Sequence, residues 1–132
     1  MSGTTWDDVR ALALSFPDTD ETISWGHAFW RVHGKGFVWE RPLRKNDLEH
    51  LRLETQPGPV LGARVDDEPT KFALIEDDPE VFFTTPHFDG YSAVLVWLDH
   101  LSERVLEEVV TDAWLAVAPR RLARQWLAEH PD

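Results

Sequence analysis

The run Phe82-Phe83-Thr84-Thr85-Pro86-His87-Phe88-Asp89-Gly90-Tyr91 places hydroxyls, an imidazole and a carboxylate within six residues, which are the residue types of a nucleophile, a base and an orienting acid. Such a set works only if the three groups point at one another. Neighbours in a turn seldom do, and hydroxyls ahead of a proline usually satisfy backbone groups instead. No catalytic residue is therefore expected, and a binding protein is the better reading. Six histidines and many carboxylates invite a metal, yet no His-x-x-x-His or His-Glu-x-x-His spacing occurs. The glycines of His33-Gly34-Lys35-Gly36 lack the spacing and the following helix of a phosphate loop, and a hairpin turn accounts for them. Neither a metal nor a cofactor is expected.

Two kinds of binding remain, each with its own residues. The formal net charge is -11, but it is unevenly spread. Residues 31 to 52 hold Arg31, Lys35, Arg41, Arg44, Lys45 and Arg52 against Glu40, Asp47 and Glu49, a local +3, which leaves -14 for the rest. An acidic chain repels a polyanion at long range, so DNA would have to be met by a local basic patch. Arg31, Lys35, Arg41, Arg44 and Lys45 are its candidates for phosphate contact, with Arg120, Arg121 and Arg124 as possible helpers. The alternative is a small apolar or aromatic ligand. Seven Trp and seven Phe must either fill a core or line a cavity; Trp25, Phe29, Trp39, Phe88, Tyr91 and Trp97 come from segments that one sheet would bring together, and Trp25, Trp39, His87, Phe88 and Tyr91 are the candidates for ligand contact. Trp97 and Trp114 read as core, whereas Trp25, His87 and Phe88 fall on irregular stretches that tend to present side chains. The first reading needs the cations to converge on one face. The second needs a concavity lined by rings.

These residues must be positioned by a fold that the sequence outlines well. Thr5 caps a helix running to Ser15, with Asp7 and Asp8 in its first turn and Trp6, Val9, Leu12, Ala13 and Phe16 at helical spacing. Asp18 to Ser24 is polar and reads as a structured loop, with a tight turn at Trp25-Gly26. Ala28 to His33 and Gly36 to Arg41 read as a hairpin about Gly34-Lys35. Alternation sets Phe37, Trp39 and Arg41 against Val38 and Glu40. A charged connection with a helical turn at Asp47 to Arg52, a strand at Val60 to Asp66 and a short helix at Pro69 to Glu76 follow. Val81 to Leu98 reads as a hairpin through the core. Its second strand is apolar on both faces, Tyr91, Ala93, Leu95 and Trp97 on one and Ser92, Val94, Val96 and Leu98 on the other, so it should be central. Ser102 to Val117 is the longest helix, with one broad apolar stripe, and Pro119 opens a last short one. The order α, β, β, β, α, β, β, α, α predicts a single α+β domain over residues 1 to 132, an antiparallel sheet packed by helices.

The pattern resembles the MmcQ/YjbR family. The matching pieces are Trp6-Asp7-Asp8-Val9-Arg10, Trp25-Gly26 before Phe29, Val38-Trp39-Glu40-Arg41-Pro42-Leu43, the run Phe82 to Tyr91, and Asp112-Ala113-Trp114 followed by Ala118-Pro119. The resemblance implies a small bacterial protein with a frataxin-like α/β fold and a DNA-binding label. With no Cys there is no thiolate chemistry and no disulfide, which fits a reducing cytoplasm. No apolar run approaches the length a bilayer needs, and the first residues lack a signal pattern, so no membrane association is expected.

Overall fold

The computed structural model describes residues 3–131. Its first helix, α1 (Trp6–Ser15), begins where the sequence places it. The Thr5 hydroxyl accepts from the Asp8 amide while the Asp8 carboxylate accepts from the Thr5 amide, satisfying two donors that a helix start leaves free.

The polar stretch read as a loop is instead a strand. Thr19–Ser24 (β1) pairs along its whole length with β2 (His27–Val32). Its polar side chains are partnered rather than alternated with apolar ones. Glu21 accepts from Arg10 Nε at 2.7 Å and from Trp30 Nε1 at 2.8 Å, and Asp20 holds the Arg31 guanidinium at 2.9 Å through both oxygens. An edge strand with one ladder and anchored side chains has no need of the hydrophobic period that sequence reading relies on.

Two tight hairpins shape this end of the sheet. Trp25 (φ 53) and Gly26 (φ 83) join β1 to β2, and His33 (φ 51) and Gly34 (φ 79) join β2 to β3 (Lys35–Glu40). Positive φ at both central residues is the two-residue turn that matches strand twist. The second turn lies one residue earlier than Gly34-Lys35. Between the pairs Trp30↔Val38 and Arg31↔Gly36 the register shifts, leaving Phe37 as an extra residue. This bulge overturns simple alternation: Phe37 and Val38, though consecutive, are both fully buried in one core.

After β3 come α2 (Lys45–Leu51), β4 (Val60–Arg64), α3 (Glu68–Asp77), β5 (Phe82–Phe83), a 3₁₀ turn at Pro86–Phe88, β6 (Ala93–Trp97), a second 3₁₀ turn at Leu98–His100, α4 (Glu103–Val117) and α5 (Arg120–Glu129). The strands order β1-β2-β3-β4-β6-β5, every pair antiparallel, in an α+β single domain. As expected, β6 is internal and apolar on both sides. It starts at Ala93 rather than Tyr91, because Gly90 (φ 77) keeps the chain in a turn and Tyr91 half exposed. Val94, Val96 and Leu98 join a core under α1, α4 and α5, where Trp30, Phe37, Leu106, Val110 and Trp114 are sealed. Ala93 and Leu95 face the opposite side with Val60, Phe83 and Phe88, beneath α2 and the first 3₁₀ turn, Pro86–Phe88. No helix among the described residues is long and apolar enough to cross a membrane.

Candidate ligand-binding cleft

The second face of the sheet is covered at the β6 end and open at the β2–β3 end. There a cleft of about 710 Å³ lies between the Trp25-Gly26 turn, the residues leaving β3 and the Pro86–Phe88 turn, a volume in the range that drug-sized ligands occupy. Its floor is aromatic, and glycines explain why the rings lie flat. A Cβ at Gly62 would stand 2.4 Å from the Trp39 indole, and one at Gly36 would stand 2.2 Å from the Phe29 ring. Each ring therefore occupies the space a side chain on the neighbouring strand would claim. The two ring centroids lie 6.0 Å apart with a 37° tilt. Trp25 rises beside them with 91% of its surface exposed.

The walls are fixed from beneath. Arg41 is buried at the end of β3. It donates to the Pro42 carbonyl, sits with Nη2 3.1 Å from Asp47 Oδ2, and lies 5.3 Å over the Phe88 ring. Burial opposes ionisation of Asp47, but the Arg44 amide at 2.9 Å, Arg41 and the neighbouring Thr85 hydroxyl outweigh it and hold the carboxyl below its usual range. From the other side Lys71, 1% exposed, donates through Nζ to the carbonyls of Phe88 at 2.7 Å and Tyr91 at 3.0 Å. Burial pushes the pKa of this ammonium down, against the raising influence of Glu68 and Asp89. Both cations thus hold the Phe88–Tyr91 segment, Arg41 at the Phe88 ring and Lys71 at its backbone, with Phe88 buried and the neighbouring His87 exposed in the lining of the cleft. Glu40, also in the cleft, accepts from the Ala28 amide at 3.4 Å and lies 3.7 Å from His27 Nδ1.

Of the residues singled out for a ligand, Trp25, Trp39, His87 and Phe88 line the cleft. Phe88 is buried wall rather than a presented ring. Tyr91 lies outside, packed against Arg64 at 5.0 Å. The residues singled out for phosphates do not gather. Arg31 is held by Asp20, Arg41 is interior, and Lys35 begins β3 whereas Arg44 and Lys45 lie beyond its other end. Six strand residues at about 3.3 Å each put those ends roughly 17 Å apart. Arg120, Arg121 and Arg124 are exposed on α5. No hydrogen bond joins His87 to Thr84, Thr85 or Asp89 among the described residues; Thr84 donates to the Thr85 carbonyl at 3.4 Å and Thr85 is buried. Phe29, grouped with the candidate rings by its segment, also lines the cleft, whereas Trp97 does not; sequence reasoning assigned no role to Lys71. Lys71 was findable, since it precedes Leu74 and Ile75 by three and four residues and so shares their inward face.

The model of the YjbR family matches residues 14–116, a span that takes in the whole cleft. The chain belongs to the YjbR family. Similar proteins include the uncharacterized proteins Rv2570 of Mycobacterium tuberculosis and Mb2600 of Mycobacterium bovis, each 51% identical over 127 residues, covering 94% of this chain and 96% of theirs. Among solved structures, Deinococcus radiodurans protein DR2400, with domain DUF419, superposes with a TM-score of 0.65 at 20% identity, covering 95% of this chain and 86% of that one. That likeness is one of fold.

Proposed function

We propose that this YjbR chain is a non-catalytic binding protein whose cleft holds a flat aromatic or heteroaromatic small molecule by stacking. The observation that carries the reading is Trp25. A bulky residue at φ 53 occupies a turn position that asparagine or glycine fills without strain, and its ring is 91% exposed. Folding gains little from such a residue. A strained, solvent-facing indole beside Phe29 and Trp39 makes sense as a stacking surface for something else.

The DNA reading has less support. With Arg31 and Arg41 engaged and Lys35 distant, only Arg44 and Lys45 of the proposed phosphate contacts remain near one another, and two contacts against a net charge of -11 make weak, salt-sensitive binding at best. A thermal-shift screen with planar aromatic compounds and a short duplex, each at low and high salt, tests both. The reading expects stabilisation by an aromatic compound, reduced in Trp25→Asn. Stabilisation by the duplex alone, abolished by salt and by Arg44→Ala, would replace it with the DNA reading.

A further inference from the structure

The cleft is not purely apolar. Arg44 lines it, is exposed, and makes no ion pair among the described residues. The carboxylates nearby are already engaged. Asp47 faces Arg41 and accepts from the backbone amide of Arg44 rather than from its guanidinium, and Glu40 takes the Ala28 amide and faces His27. By contrast Arg10 on α1 is paired with Glu21, and the half-buried Arg31 on β2 with Asp20. Arg52, Arg120, Arg121 and Arg124 are likewise exposed and without an ion pair among the described residues, but none of them lines the cleft; an unpaired guanidinium in the same lining as Trp25, Phe29 and Trp39 is a recognition element open to a ligand. A guanidinium presents a planar fork of donors that matches a carboxylate or a phosphate.

We infer that the ligand of this cleft is a flat aromatic carrying one anionic head, carboxylate or phosphate, with the ring on Phe29, Trp39 and Trp25 and the head on Arg44. The inference rests on the stacking reading of the same cleft and adds the anion to it. It also sets the sign of discrimination: cations are rejected by Arg44 and neutral analogues lose its hydrogen bonds.

The test is calorimetric titration of the full chain with four naphthyl probes that share one ring: 1-naphthylacetate, 1-naphthyl phosphate, the neutral 1-naphthylacetamide and the cationic 1-naphthylmethylamine. A charge-assisted hydrogen bond at a partly exposed site is expected to favour the acetate over the acetamide about tenfold at low salt. The amine should bind more weakly than either. Arg44→Gln should bring the acetate-to-acetamide ratio to near one, while Lys35→Gln, at the far end of β3, keeps it. Whichever of the acetate and the phosphate binds tighter names the head group, and either supports the inference. Equal affinity for acetate and acetamide, or a ratio untouched by Arg44→Gln, overturns the anionic ligand and leaves the stacking reading standing. Failure of all four probes overturns both.

Discussion

On the helix-covered face of the sheet Trp30 and Trp114 are 1% and 0% exposed, whereas on the opposite face Trp25 is 91% exposed and Trp39 lies open over Gly62. Residue type is the same; the difference is what lies above the ring. Over the first face α4 crosses β3 and β4 and brings Leu106, Val110 and Trp114 down onto Trp30, Phe37 and Val38. Over the second, α2 and the Pro86–Phe88 turn cover Val60, Phe83, Phe88, Ala93 and Leu95; Trp39 packs part-buried at the margin of that cluster, and the cleft opens over it and Phe29. Burial of an aromatic side chain supports folding in proportion to the area removed from water, so the two sets of rings should separate cleanly by experiment.

The largest effect belongs to the sealed side. Trp114→Ala removes a ring stacked on Phe16 at 5.3 Å and should cost about 3–5 kcal/mol in denaturant unfolding. A loss near that of a surface change, about half a kcal/mol, would mean that α4 is not the lid of this core. Leu95→Ala, at a 1% exposed site on the second face of β6, should cost about 2–5 kcal/mol and show that this face too is packed where α2 and the turn cover it.

Acid should reveal the clamp beneath the cleft. The folded Asp47 carboxyl titrates below its unfolded value of about 3.9, so its stabilising contribution is complete well above that pH and is lost as the pH falls through the folded value. Between pH 5 and pH 3 the unfolding midpoint of the parent chain should therefore drop further than that of Asp47→Asn. Parallel curves would show that Asp47 titrates alike in both states. The smallest effect on stability belongs to the open side. Trp25→Asn puts Asn-Gly at the hairpin tip, the pair this turn prefers, and should change stability by no more than about half a kcal/mol or raise it slightly. A loss above 2 kcal/mol would assign Trp25 to the fold.

Much of the helix-covered face was legible because periodicity encodes it: the stripe of α4 and the two-sided β6 could be read directly from spacing. β1 was not, because what holds it is side-chain pairing from Arg10 and Trp30, and from Arg31, rather than an apolar period of its own. Phe37 escaped because a bulge resets alternation without a mark in composition. For the cleft, the rings could be named in advance, but their arrangement could not. Gly36 and Gly62 decide that Phe29 and Trp39 lie flat, Gly90 turns Tyr91 away, and the burial of Arg41 separates it from cations only a few residues distant. Each of these depends on which strand lies beside which.

The central claim is that the rings of the open face serve a ligand rather than the fold. It is tested most directly by titrating 1-naphthylacetate into the parent chain and into Trp25→Asn, with unfolding curves recorded on both. Stacking on an exposed indole is worth about 1–3 kcal/mol, so the account predicts saturable binding at one site that weakens roughly tenfold in Trp25→Asn while the unfolding midpoint is kept or raised. Equal affinity in the two proteins, or a variant that loses stability and affinity together, would contradict it.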